Sequence, residues 1–254
     1  MTQQKVALVT GGGRGIGRGI ALRLAADGHA VAVASRSRTQ LDQVVRDIQA
    51  AGGTALALPC DVTRHVDVTR TVESVRRQLG EVTVLVNNAG VSGPMGPIGV
   101  VDPQAWWAAQ AVHVLGSLMF MTEIVPRMAA RGGGRIINVC SVAGVIIANN
   151  FSSYAVAKST LIRLSEHVAA EQRDQNIKVF PIQPGTILTD MARETLNLPD
   201  AAKWAAPLVG MLQQITPQKS AAAMRRLQDF VAALAAGRCD ELSGRYLDVD
   251  KDYP

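Results

Sequence analysis

Tyr154 and Lys158 stand four residues apart, the spacing that stacks two side chains on one face of a helix, and Ser141 precedes the tyrosine by thirteen residues at the end of an apolar, strand-like run. A phenol, an ammonium and a hydroxyl so disposed could exchange a proton with a substrate oxygen. A free tyrosine titrates at about pH 10, too high to trade protons readily at neutrality, and an adjacent cation stabilises the phenolate and eases the exchange. The pair is also common on amphipathic helices, so its meaning depends on the rest of the chain.

A second constellation is Thr10-Gly11-Gly12-Gly13-Arg14-Gly15-Ile16-Gly17, which follows the apolar run Val6–Thr10 and opens a helical stretch. Glycines there let the backbone approach a pyrophosphate, and a helix N-terminus adds unpaired N–H groups and the positive end of a dipole. The spacing Gly-x3-Gly-x-Gly differs from GxGxxG, which leaves a purely structural turn as the alternative. At the end of the second apolar run, where NAD sites place a carboxylate on the ribose 2′-OH, the chain has Ser35. Arg36 follows it and Arg14 lies in the glycine loop, two guanidiniums suited to a 2′-phosphate. NADP(H) is expected over NAD(H), with two solvated surface arginines as the plain alternative.

These residues need a scaffold, and the hydropathy pattern supplies one. Short apolar runs at Val6–Thr10, Ala30–Ser35, Ala55–Asp61, Val82–Val86, Arg135–Ser141, Lys178–Gln183 and Gly244–Val249 predict seven strands. Helical stretches near Gly15–Ala26, Thr39–Ala51, Val66–Leu79, Pro103–Ala130, Ser153–Gln175 and Lys219–Ala235 alternate with them. Near-continuous apolar strands are buried on both faces, so the expected fold is α/β: one Rossmann-type, doubly wound parallel sheet in a three-layer α/β/α sandwich. The whole chain, 1–254, reads as one domain, with 191–218 as an irregular insertion that could form a substrate lid.

Taken in order, Thr10–Gly17, Asp61-Val62, Asn87-Asn88-Ala89-Gly90, Ser141, Tyr154-x3-Lys158 and Pro184-Gly185 resemble the motifs of the short-chain dehydrogenase/reductase family, from about Val6 to Val249. The resemblance implies hydride transfer between a nicotinamide and a carbonyl or secondary alcohol. It makes Tyr154 the general acid/base, Ser141 the group that polarises the substrate oxygen, and Lys158 the ribose ligand that lowers the tyrosine pKa. Tyr154 and Lys158 thus also border the cofactor, as do Gly11, Arg14, Gly15, Ile16 and Gly17. Ser35 and Arg36 face its ribose, Asp61 and Val62 its adenine, and Asn87, Ala89 and Gly90 its floor. Pro184 and Gly185 follow, with Ile187 and Thr189 at the carboxamide. One position departs from the family: His113 stands where an asparagine usually completes a tetrad. An imidazole with a pKa of about 6.5 could keep the proton relay, add a titrating group, or simply pack.

Val142, Val145, Ile146, Met95 and Phe151, with Met191, Leu196, Leu198, Trp204, Leu208 and Met211 of the insertion, suggest an apolar small-molecule ketone or alcohol. A 3-oxoacyl-[acyl-carrier-protein] reductase is the nearest alternative, although Gln175 replaces an expected arginine and the C-terminal sequence through Tyr253-Pro254 differs from that group. A non-catalytic NADP-binding sensor is the alternative from another class. The long helices at 103–130 and 153–175 resemble the family's pairing helices and imply a homodimer or homotetramer.

Composition sets the outer limits. With 254 residues, 48% hydrophobic and 19% charged, the chain is neither a disordered tail nor a disulfide miniprotein. The net charge of +5 is scattered, without a basic run bearing aromatics, so no nucleic-acid partner is expected. Three cysteines without CxxC spacing and four unpaired histidines suggest no metal. The start, Met1 to Lys5, precedes too short an apolar run for a signal peptide, and no continuous apolar run approaches a bilayer span, so a cytoplasmic location without membrane insertion is expected.

Overall fold

The computed structural model describes residues 4–252; the outermost residues on which the leader and C-terminal comparisons partly rest, Met1–Gln3 and Tyr253–Pro254, lie outside that range. The alternation predicted from hydropathy is present. In chain order the elements are β1 (Val6–Thr10), α1 (Gly15–Ala26), β2 (Ala30–Ser35), α2 (Arg38–Ala50), β3 (Ala55–Pro59), α3 (His65–Gln78), β4 (Val84–Asn87), α4 (Pro103–Gln110), α5 (Gly116–Ala130), β5 (Gly134–Val139), α6 (Ser152–Glu171), β6 (Ile177–Gln183), α7 (Asp190–Leu196), α8 (Pro199–Trp204), α9 (Ala206–Gln213), α10 (Pro217–Ala235) and β7 (Leu247–Asp248). The seven strands form one sheet in the order β3-β2-β1-β4-β5-β6-β7, every pair parallel.

Strand side chains alternate between two apolar layers, which is why the sheet is covered on both faces. Ala7 and Val9 of β1 pack with Ile20 and Leu24 of α1, Leu41 and Val44 of α2, and Leu227 and Phe230 of α10. Val6 and Leu8 face the other way, toward Val68 and Val72 of α3 and Phe120 and Ile124 of α5. Helix starts follow capping chemistry: the side chains of Ser37, Asp102 and Thr216 accept backbone N–H bonds, with Pro103 and Pro217 in the first turn. The start of α1 is different, because Arg14 makes no side-chain cap there.

The differences from the sequence reading are local. β3 stops at Pro59 and β5 at Val139, so Asp61 and Ser141 stand on loops beyond the strand ends. The last strand, expected over 244–249, is reduced to Leu247–Asp248. The long helix expected over 103–130 is interrupted by a π-helical turn at Ala111–Leu115. By length and mean hydropathy this run meets the criteria of a bilayer span, although polar side chains interrupt its apolar stretches; half of the qualifying window is buried within the protein. The insertion is helical, and its end at Gln218 falls inside α10.

Phe180 lies at the middle of β6 with no exposed surface. Phe180→Ala should cost about 3–5 kcal/mol in denaturant unfolding; a loss under about 1 kcal/mol would mean that neighbouring side chains close the space.

Candidate active site

β1 and β4 are neighbours whose connections leave toward opposite edges of the sheet, and a crevice opens beyond their C-terminal ends. A cleft of about 400 Å³ occupies it. The glycine loop forms one wall: Gly11 and Gly15 have φ of +62° and +53°, and a Cβ on Gly17 would overlap the Gly11 carbonyl oxygen. The loop is braced from across the crevice. Asn88 Nδ2 donates to the carbonyls of Thr10 (2.9 Å) and Gly11 (3.2 Å). Thr10 Oγ1 in turn accepts from the N–H groups of Asn88 (3.0 Å) and Ala89 (3.1 Å).

At the β2 end of the cleft lie Ser35, Arg36, Ser37 and Gln40. The Ser35 hydroxyl is buried without a hydrogen-bond partner, and Arg36 makes no ion pair among the described residues. Across from them Asp61 is held below the usual carboxylate range, chiefly by the Thr63 backbone N–H at 3.0 Å and also by the Thr63 hydroxyl at 2.7 Å. An uncapped helix start, a glycine cradle that a Cβ would fill and an orphaned hydroxyl fit a dinucleotide.

The deep end carries the acid–base group. Tyr154 and Lys158 project from the first turns of α6, and Ser141 caps the short 3-10 turn Val142–Gly144, its Oγ accepting from Ala143 N–H at 3.2 Å. The Ser141 hydroxyl lies near enough to the Tyr154 phenol to favour its ionised form. Lys158 is buried, donates from Nζ to the Val139 carbonyl at 2.7 Å, and lies 5.5 Å from the centre of the tyrosine ring. Burial pushes the Tyr154 phenol up to about 12 despite Ser141, and pushes Lys158 down to about 8. Desolvation is the largest influence on both groups, and it favours the neutral form of each.

The cleft is lined by Gly11, Arg14, Gly15, Ile16, Ser35, Arg36, Asp61, Val62, Ala89, Gly90, His113, Tyr154, Lys158, Pro184 and Thr189 of the predicted set. Gly17 is packed beneath the loop, Ile187 is in the core, and Gly185 and Ser141 stand just outside the lining. Asn87 points into the protein, donating to Asn138 Oδ1 at 2.9 Å. Its neighbour Asn88, quoted in the motif without a role of its own, makes the brace; strand alternation past β4 was the available signal. Ser37 and Gln40 were missed, although a serine just ahead of a helix marks a cap.

Arg14 also differs from expectation. Its guanidinium is not at the β2 corner but forks onto the Glu194 carboxylate of α7, Nη2 to Oε2 at 3.1 Å and Nη1 to Oε1. The insertion is tied down further by a hydrogen bond between the Ser92 and Thr195 hydroxyls (2.7 Å) and by Asn150 Nδ2 donating to the Trp204 carbonyl (2.8 Å). Met95 and Phe151 pack against Leu208 and Val209 beneath it.

His113 sits in the π turn, 1% exposed, with its edge toward the Tyr154 ring at 5.4 Å. Its Nε2 is 2.8 Å from the Val91 carbonyl, while Nδ1 is buried without a partner. Burial, aided by the Lys158 charge, lowers its pKa from 6.5 to about 3, so the imidazole is neutral at any ordinary pH and not the titrating group considered from sequence. Between those values the unfolded chain binds the extra proton, so stability is complete above about 6.5 and is lost as pH falls toward 3. Between pH 7 and 5 the melting temperature of wild type should fall by several degrees more than that of His113→Asn. Parallel falls would show that the folded imidazole already carries its proton.

A family model described as short chain dehydrogenase matches residues 5–198. A short chain dehydrogenase of Pseudocercospora fijiensis is 31% identical over 258 aligned residues, covering 98% of this chain and 81% of that protein. Among solved structures, 7 alpha-hydroxysteroid dehydrogenase complexed with NADH and 7-oxo glycochenodeoxycholic acid superposes with a TM-score of 0.83 at 29% identity, covering 96% of this chain and 92% of the other. A gluconate 5-dehydrogenase from Burkholderia cenocepacia, in complex with NADP and tartrate, gives 0.82 at 27%, covering 96% and 92%. By its sheet order, its glycine loop, its tyrosine–lysine helix and these likenesses, the chain belongs to the short-chain dehydrogenase/reductase family of nicotinamide-dependent oxidoreductases.

Proposed function

We propose that the protein reduces a carbonyl, or oxidises the matching secondary alcohol, of a largely apolar small molecule with NADP(H). The observation that carries this reading is one cleft with two chemically different ends. At one, Tyr154, Lys158 and Ser141 meet; at the other, Ser35 and Arg36 stand where a carboxylate would repel a 2′-phosphate. Both NADH and NADP occur in complexes of the related structures, so the local charge is what supports the choice.

When bound, the reduced nicotinamide supplies a hydride to the carbonyl carbon. Tyr154, protonated at neutral pH, donates its proton to the oxygen on which negative charge develops. Ser141 donates a hydrogen bond to that same oxygen, and the Lys158 ammonium stabilises the phenolate left behind. His113 serves as a positioning residue, a neutral ring between the Tyr154 edge and the Val91 backbone. The apolar character of the substrate is supported by Val142, Val145, Ile146 and Ile147, exposed after Ser141, and by Leu198 and Met211 of the insertion, which acts as a lid. Trp107, Leu115, Leu118 and Val156 are exposed on α4 to α6 and support pairing of two copies through those helices.

Tyr154→Phe should abolish carbonyl reduction while NADPH affinity stays within about twofold, by fluorescence titration; retained turnover would remove the tyrosine from the mechanism. Arg36→Ala should weaken NADPH at least about tenfold and leave NADH nearly unchanged, and equal losses would make Arg36 structural. The reductive kcat should decline as pH rises through about 8, where Lys158 loses its charge. A flat profile to pH 10 would mean that the ammonium does not assist the proton transfer.

A further inference from the structure

The Arg14–Glu194 fork joins the two parts of the site that the fold keeps apart in sequence, the glycine loop and the insertion. Both terminal nitrogens of Arg14 are engaged by the two carboxylate oxygens, and Asp190 on the same helix adds a second negative charge nearby. Arg14 is also one residue from the ribose corner: a Cβ on Gly13 would lie 3.1 Å from Ser35 Oγ and 3.3 Å from Gln40 Oε1. An arginine side chain anchored there can reach either partner. A phosphate dianion presents the same planar-fork target as a carboxylate with more charge, so the two compete for one guanidinium.

We propose that Glu194 is a cofactor-specificity residue: it holds the Arg14 guanidinium, a 2′-phosphate displaces it, and the insertion is thereby released from the glycine loop only by the phosphorylated cofactor. This rests on the NADP(H) reading. No covalent step is involved. A cofactor without the 2′-phosphate leaves the pair intact, and α7 stays tied at both Glu194 and Thr195; with the phosphate, the tie between Thr195 and Ser92 is the one that remains. Glu194 thus weakens binding of the phosphorylated ligand and makes lid opening report on it. Both side chains are partly exposed, at 43% and 60%, so the effect is modest.

The test uses the adenosine halves alone, 2′,5′-ADP and 5′-AMP, titrated calorimetrically into wild type, Glu194→Gln, Arg14→Ala and the double variant, with hydrogen exchange of residues 190–213 alongside. Glu194→Gln should tighten 2′,5′-ADP by about 3- to 5-fold, the size of an exposed ion pair, and leave 5′-AMP unchanged. In the Arg14→Ala background the same substitution should change nothing. In wild type, 2′,5′-ADP should speed exchange in α7 and 5′-AMP should not. If wild type prefers 2′,5′-ADP but Glu194→Gln leaves its affinity unchanged, the competition is overturned while the NADP(H) reading stands. If the tightening persists without Arg14, it is a long-range charge effect and the proposal fails. If wild type binds the two ligands equally, the NADP(H) reading fails and this inference with it.

Discussion

The structure depends on the spacing between the loop after β1 and the loop after β4. Strand order alone opens a crevice there, because successive connections leave β1 and β4 for opposite edges of the sheet. An open crevice has no preferred width, and the brace between Thr10, Gly11 and Asn88 sets one. The brace in turn explains the glycines. A Cβ on Gly11 would lie 2.7 Å from the Asn88 amide nitrogen, so the loop can approach its partner only without one. Everything that lines the cleft is placed relative to this pair of loops.

The catalytic helix is positioned by a second polar chain, running beneath the sheet surface. Asn87 donates to Asn138, which donates to Ser165 at 2.8 Å, which donates to the Leu161 carbonyl on the same helix. Buried polar groups are costly unless paired, and paired ones fix a single arrangement of the elements that carry them. α6 is therefore registered against β4 and β5 by directional bonds as well as by packing, and the depth of Lys158 follows. An ammonium at that depth needs an oxygen, and the Val139 carbonyl, freed where β5 ends, is the one it finds.

Much of this was legible in the sequence because it rests on local patterns. Apolar periodicity placed the strands and helices, and motif order placed Tyr154, Lys158, Ser141 and the glycine loop. The illegible parts depend on contacts between residues distant in the chain. Nothing near Arg14 announces Glu194, 180 positions away, and nothing in the 103–130 pattern marks the π turn. Asn87 and Asn88 are chemically identical, and only their directions separate an interior bond from the brace. Ionisation was the hardest to read, since a reference pKa for His113 or Tyr154 carries no information about burial.

Those ionisation states form one consistent set. His113, Tyr154 and Lys158 share a pocket from which water is largely removed, and desolvation penalises each charged form. One charge is tolerated where it has an oxygen partner, and Lys158 has one. Burial keeps His113 neutral, and that charge adds to the effect by repelling a second cation; one ring nitrogen is partnered by Val91 and the other has no hydrogen-bond partner. The unpartnered Nδ1 costs on the order of 1–3 kcal/mol, a local loss a fold of this size can carry. With the imidazole neutral, the protons that the site holds at neutral pH are those of the Tyr154 phenol and the Lys158 ammonium.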